Sequence, residues 1–259
     1  MSFLVRIGII ARNGSIAALA EIISRLRYNI PMILLRDENP TRRFPFVNYG
    51  LIALNVLVFF WQVSLGPYGE IALYRMALIP LNVTSGLDLG DARAVFTSMF
   101  MHAGLAHLLG NMLYLWIFGD NVEDALGHAR YLFFYLAGGA AASLTHVFLY
   151  PASQIPTVGA SGAIAATLGA YLILYPHRRV VTLIPFGFFI QVARIPAFFV
   201  LGMWFLLQLF EGTVSLGMAE LGGVAFWAHI GGFVFGALLG PRLRLRERPV
   251  VYWEDWGRW

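Results

Sequence analysis

Long runs of apolar residues, broken by short polar or arginine-bearing stretches, dominate the pattern of this chain. A helix crossing a bilayer needs about 20 mostly apolar residues. Runs of that kind lie at 47–65 (VNYGLIALNVLVFFWQVSL), 99–118, 130–150, 160–175, 195–210 and 223–241. They predict an all-α polytopic membrane bundle of six transmembrane helices spanning 47–241, after a segment 1–46 and before an Arg-rich tail 242–259. The fourth run is short: about 15 residues at 1.5 Å each reach only about 22 Å. It is therefore expected to start inside the membrane, with Pro151 to Val158 dipping in as non-helical backbone walled by protein or water. Residues 1–31 read differently, since Ile16, Leu19, Ile23, Leu26 and Ile30 recur at helical spacing. Two readings stay open there, an interfacial amphipathic helix or an upstream extension with translation starting at Met32. Either way the segment is expected to be dispensable, because every apolar run lies beyond Arg42.

Composition supports the membrane reading: 59% of residues are hydrophobic and 12% charged, against about 25% charged in soluble domains. All 18 basic residues are Arg. They crowd before the first run and after the sixth, with Arg130, Arg178, Arg179 and Arg194 in the 2–3 and 4–5 connections. The opposite loops hold only Arg75 and Arg93, so the positive-inside rule places both termini in the cytoplasm. Topology thus accounts for the net charge of +4, and no nucleic-acid partner is expected. The external loop 66–98 is too apolar for a free linker and suits the outer interface. The chain has no Cys, which excludes disulfides, thiol catalysis and thiolate metal sites.

Polar groups inside apolar spans are costly and so point to function. The second run carries His102, His107 and Asn111, the last two sharing a helical face. The fourth opens Gly159-Ala160-Ser161-Gly162, and the sixth holds Ala228-His229 followed by Gly232, Gly236 and Gly240. Ala228, Gly232, Gly236 and Gly240 form one stripe of small residues, and Ser161, Ala165 and Gly169 another. Such stripes let helices approach closely in lipid. Packing them together would bring Ser161 within reach of His229, whose neutral imidazole can activate the hydroxyl. Acyl transfer also needs donors for the oxyanion. Asn111, His107 and the Ser161 backbone N–H could serve, while Gly159 and Gly162 let backbone approach the substrate. Each motif alone is weak; together, three separate runs each contribute one element.

These residues resemble the rhomboid family of intramembrane serine proteases, in its basic six-helix bacterial form. The likeness rests on His102 with His107-x-x-x-Asn111, on Gly159-Ala160-Ser161-Gly162, on Ala228-His229-x-x-Gly232-x-x-x-Gly236, and on Asp120 to Gly127. The resemblance implies a Ser161–His229 dyad without an acidic third member, an oxyanion site at His107 and Asn111, and a supporting His102. It implies transmembrane protein substrates in the lipid bilayer, cut where Gly, Pro or Ala loosens the helix, and residence in a bacterial cytoplasmic membrane. No cofactor and no metal are expected. One departure stands out: the family's Trp-Arg before the second span is missing from Asp91 to Thr97, which questions the usual anchoring of that loop. The alternative is an inactive rhomboid-like scaffold, although such relatives typically lose the Ser or His. A zinc enzyme would be expected to show His-Glu-x-x-His, and a transporter a repeat between its halves; neither is present.

Overall fold

The computed structural model describes residues 33–86, 88–186, 189–216 and 224–245; the stretch 1–31 and most of the C-terminal tail lie outside them. Helix α1 (Phe46–Ser64) starts after Pro45 with no side-chain cap of its own. Its open N–H groups are satisfied from elsewhere. The Glu123 carboxylate accepts from the backbone of Val47 at 3.0 Å and Asn48 at 2.7 Å. A buried carboxylate at a helix N-terminus both caps it and complements its dipole. Asn48 is buried in turn, donating to the Leu115 carbonyl and accepting from the Tyr131 hydroxyl. The acidic segment from Asp120 thus ties the first helix to the second long one.

The 66–98 loop folds into three short helices, α2 (Tyr68–Met76), α3 (Pro80–Ser85) and α4 (Leu89–Thr97), the last started by a capping box between Asp88 and Asp91. It is anchored without a Trp-Arg pair. The Thr97 hydroxyl donates to the Met76 carbonyl at 2.9 Å, and Leu78, fully buried, bridges to Thr157 backbone to backbone. A 3₁₀ turn at Ser98–Phe100 and a short extended stretch lead to α5 (Leu105–Leu126). The second helix therefore begins later than the apolar run predicts, and His102 precedes it. Gly127, at φ 79°, turns the chain into α6 (His128–Leu149). The remaining helices are α7 (Ser161–Leu174), α8 (Ala197–Leu216) and α9 (Phe226–Leu243). By length and composition α1, α6 and α8 can each cross a membrane, and α7 is a shorter apolar helix.

The all-α expectation needs one correction. Strands β1 (Ile33–Asp37), β2 (Arg179–Phe186) and β3 (Phe189–Pro196) form an antiparallel sheet in the order β1-β2-β3. Ile33 pairs with Leu183 and Asp37 with Val180, while β2 and β3 pair from Arg179–Pro196 to Phe186–Phe189. β-branched Val180, Val181 and Thr182 suit such a strand, and its partner β1 comes from far away in the chain. The sheet is fastened to the helices through Asp37, whose Oδ2 accepts from Tyr171 Oη at 2.6 Å and Asn121 Nδ2 at 3.0 Å. Burial, with the Asp120 charge adding to it, pushes the Asp37 carboxyl up to about 6.

Helix α7 is buried along most of its length and packs against α9. A Cβ placed on Gly232 would strike the Gly162 carbonyl, one on Gly236 the Ala166 carbonyl, and one on Gly240 the Ala170 side chain. The α9 stripe is therefore seated as the glycine spacing predicts. Of the expected α7 stripe, Ser161 meets His229 and Gly169 receives the Phe233 carbonyl, both on α9, while the carbonyls of Gly162 and Ala166 stand against Gly232 and Gly236.

Candidate active site

Ser161 is the first residue of α7, and the non-helical backbone before it is fixed on both sides. The Thr157–Leu78 bridge holds one end, and the Gly159 N–H donates to the Ser98 carbonyl at 2.8 Å. Gly159 has φ 123°, which favours glycine. A side chain there would also meet the His107 ring, with the Asn111 amide nitrogen close behind. Glycine is thus required twice over, by conformation and by space.

His229 lies in the first turn of α9, and the close α7–α9 packing carries it to Ser161. Its Nε2 is 2.8 Å from Ser161 Oγ, and its Nδ1 is 2.7 Å from Gln208 Oε1 on α8. With the amide oxygen as acceptor, Nδ1 carries the proton and Nε2 accepts from the serine hydroxyl. The Trp204 ring, one turn back on α8, packs against the imidazole at a centroid separation of 5.9 Å. Gln208 is buried. Sequence reading passed over both residues, although a lone Gln within an apolar run carried the same signal as the other intramembrane polar groups.

A cavity of about 530 Å³ opens beside this pair, lined by Ser161, His229, His107, Asn111, Gly159 and Trp204 among others. Asn111 is 7% exposed, and its Nδ2 has no hydrogen-bond acceptor among the described residues. An unspent buried donor beside a serine–histidine pair can serve a charge that develops only during reaction. His107 stands one turn earlier on α5. His102 is fully buried outside the cavity lining, its ring 5.1 Å from that of His107 and its carbonyl accepting from Gln62 Nε2. The two rings meet edge-on. His146 on α6, buried against Tyr150, stands apart as a packing residue. Gly162, Gly232 and Gly236 all lie in the helix seam.

The rhomboid domain model matches residues 90–246, more than half of the chain and all of this site. The chain belongs to the rhomboid family. It is similar to Rhomboid protease GluP of Bacillus subtilis, 32% identical over 196 residues, which cover 76% of this chain and 35% of that protein. Rhomboid protein 1, mitochondrial, of Saccharomyces cerevisiae is 29% identical over 199 residues, covering 74% of this chain and 51% of that one. RHOMBOID-like protein 4 of Arabidopsis thaliana is 33% identical over 181 residues, 65% of this chain and 40% of the relative. This rhomboid thus spans between about a third and a half of the length of these relatives. Family membership and the apolar helices make it an integral membrane protein.

Proposed function

We propose that this rhomboid is an intramembrane serine endopeptidase that hydrolyses peptide bonds in or beside transmembrane helices of other proteins. The observation that carries the reading is the 2.8 Å approach of His229 Nε2 to Ser161 Oγ in a cavity that also holds the Asn111 amide. In this reading Ser161 Oγ attacks the scissile carbonyl carbon while its proton passes to His229 Nε2. The carbonyl oxygen takes up negative charge and is met by Asn111 Nδ2, His107 and the Ser161 backbone N–H. Collapse of this intermediate breaks the C–N bond, and the imidazolium gives its proton to the leaving amine. Water, activated by the same histidine, then hydrolyses the acyl-serine and restores the hydroxyl. Gln208 holds the imidazole in the required tautomer throughout.

The wider setting belongs to the same proposal. α1, α5, α6, α7, α8 and α9 form six spans, with the sheet and both termini on the cytoplasmic side of a bacterial inner membrane. The arginine distribution supports that orientation, because α7 then begins near the outer face and ends at Arg178 and Arg179. Substrates reach the cavity from the bilayer, and local unwinding exposes the bond. Purified protein should cleave a model transmembrane substrate and bind a serine-directed phosphonate probe. Ser161→Ala and His229→Ala should each remove cleavage while remaining folded and membrane-inserted. Cleavage retained by purified Ser161→Ala would refute the assignment.

A further inference from the structure

At the far end of α7 from Ser161 lies a second cavity of about 600 Å³, within the range of about 300–1,000 Å³ that small ligands occupy. Arg42, Arg43, Arg178 and Arg244 line it, together with Tyr175 and a single carboxylate, Asp124. Topology alone requires only that arginines be on this side of the membrane. It does not require that three segments far apart in sequence turn four of them into one concavity.

The fold builds this convergence. Asp124 Oδ2 and Oδ1 accept from the backbone N–H groups of Arg42 and Arg43, each at 3.1 Å, so the carboxylate fixes the chain that carries two of the cations. The Leu245 N–H donates to the Ala125 carbonyl at 2.9 Å, which docks the segment bearing Arg244 against the end of α5. Arg130 Nη1 donates to the Leu243 carbonyl on the same segment. Arg178 follows α7 directly, its N–H donating to the Tyr175 carbonyl. At the α5–α6 turn, a Cβ on Gly127 would stand 3.0 Å from Leu245 and 3.4 Å from Arg43 Nη1, so the turn leaves room for that guanidinium.

We infer that this cavity binds a phosphate-bearing anion. Guanidinium groups present forked donors that match phosphate oxygens in pairs, and several around one concavity can share a single phosphodiester. In the orientation proposed above, the site stands where apolar helices end, at the depth of lipid headgroups, with Leu245 and Ala125 on its apolar wall. Basic pockets in that position hold the headgroups of anionic lipids. The source of the phosphate is thus an anionic phospholipid or a soluble phosphate, and the two can be told apart. The inference is independent of proteolysis.

The test uses the purified full-length protein. Native mass spectrometry compares retention of phosphatidylglycerol and phosphatidylcholine of equal chain length, and thermal unfolding is followed with each lipid and with inorganic phosphate. Preferential retention of phosphatidylglycerol with a raised Tm is expected. Stabilisation by inorganic phosphate with no lipid preference would instead assign the site to a soluble anion. Arg178→Gln combined with Arg244→Gln should weaken retention by about tenfold or more. Arg179→Gln, an exposed arginine outside the cavity, should leave it unchanged. Equal retention of both lipids with no protection by phosphate overturns the inference in the native protein alone, even if the double variant does not fold. A folded double variant that binds like the parent overturns it as well.

Discussion

Gln208 Oε1 lies 2.7 Å from His229 Nδ1, on the side of the ring opposite Ser161. The serine–histidine pair therefore has a third member from a different helix, neutral and buried where serine hydrolases often place a carboxylate. In the proposed mechanism it positions the imidazole, since it touches no reacting atom. Gln208→Leu should lower kcat by about 10–100-fold, the scale seen when the partner of a functional imidazole is removed, with little change in KM. Gln208→Glu keeps an acceptor oxygen at that place and should restore a good part of the rate. The rate of Ser161 modification by a phosphonate probe should fall in parallel with kcat. Loss of stability with an unchanged kcat in the surviving protein would show that Gln208 only packs.

Asn111 offers a buried amide donor to the same cavity. Asn111→Ala should lower kcat by about 10–1,000-fold, the loss expected for one oxyanion donor, while substrate affinity changes little. Steady-state cleavage of a transmembrane substrate in bilayers separates the two quantities. A change confined to apparent affinity would move Asn111 out of the oxyanion role and into substrate binding.

The α7–α9 seam can be probed one methyl group at a time. A Cβ on Gly236 would collide with the Ala166 backbone, whereas Gly202 on α8 has open space around it. Gly236→Ala should cost about 1–3 kcal/mol as an overpacked contact, and Gly236→Leu should also separate Ser161 from His229 and remove cleavage. Gly202→Ala should be neutral or slightly stabilising, because alanine outranks glycine in a helix interior by about 0.5–1 kcal/mol. Thermal unfolding of the two alanine variants checks this, and equal stability would contradict the seam.

Much of the candidate site was legible because polar groups inside apolar runs leave a coarse trace. His107, Asn111, Ser161 and His229 interrupt runs that are otherwise apolar, and the α9 glycines carry the four-residue spacing of a close contact. What escaped depends on non-local geometry. Ser161 and Gly169 meet α9 as expected, but the contact of the Gly162 and Ala166 carbonyls with Gly232 and Gly236 is made by backbone, which side-chain spacing does not show. The helix boundary before α5 is set by backbone around Gly104, which left His102 outside the helix. The sheet was hidden because the β2–β3 hairpin runs into the apolar start of α8, and because β1 joins it from about 140 residues away. The acidic segment after Asp120 was recognised as a motif, yet its physical role as a cap for α1 and an anchor for Arg42 and Arg43 appears only in three dimensions.

The sheet's anchor makes a last prediction, about pH. Asp37 lies in β1, where burial first and the Asp120 charge second push its carboxyl up to about 6 from an ordinary value of 3.8, with the Tyr171 hydrogen bond opposing them. A carboxyl raised by folding binds its proton more tightly in the native state than in the unfolded chain. Its contribution is therefore most favourable below about pH 3.8 and is lost as pH rises towards 6, above which it stays constant. At neutral pH the ionised, half-buried group costs the fold about 1 kcal/mol once solvent screening is allowed for. Asp37→Asn removes that charge while its amide oxygen can still accept from Tyr171 and Asn121. The variant should unfold at a higher temperature than the parent at pH 7.5, with the advantage shrinking as pH falls from 6 to 4. Unfolding followed at several pH values in one detergent measures it. An Asn variant less stable than the parent at pH 7.5 would mean that the ionised carboxylate is what holds the sheet to α5 and α7.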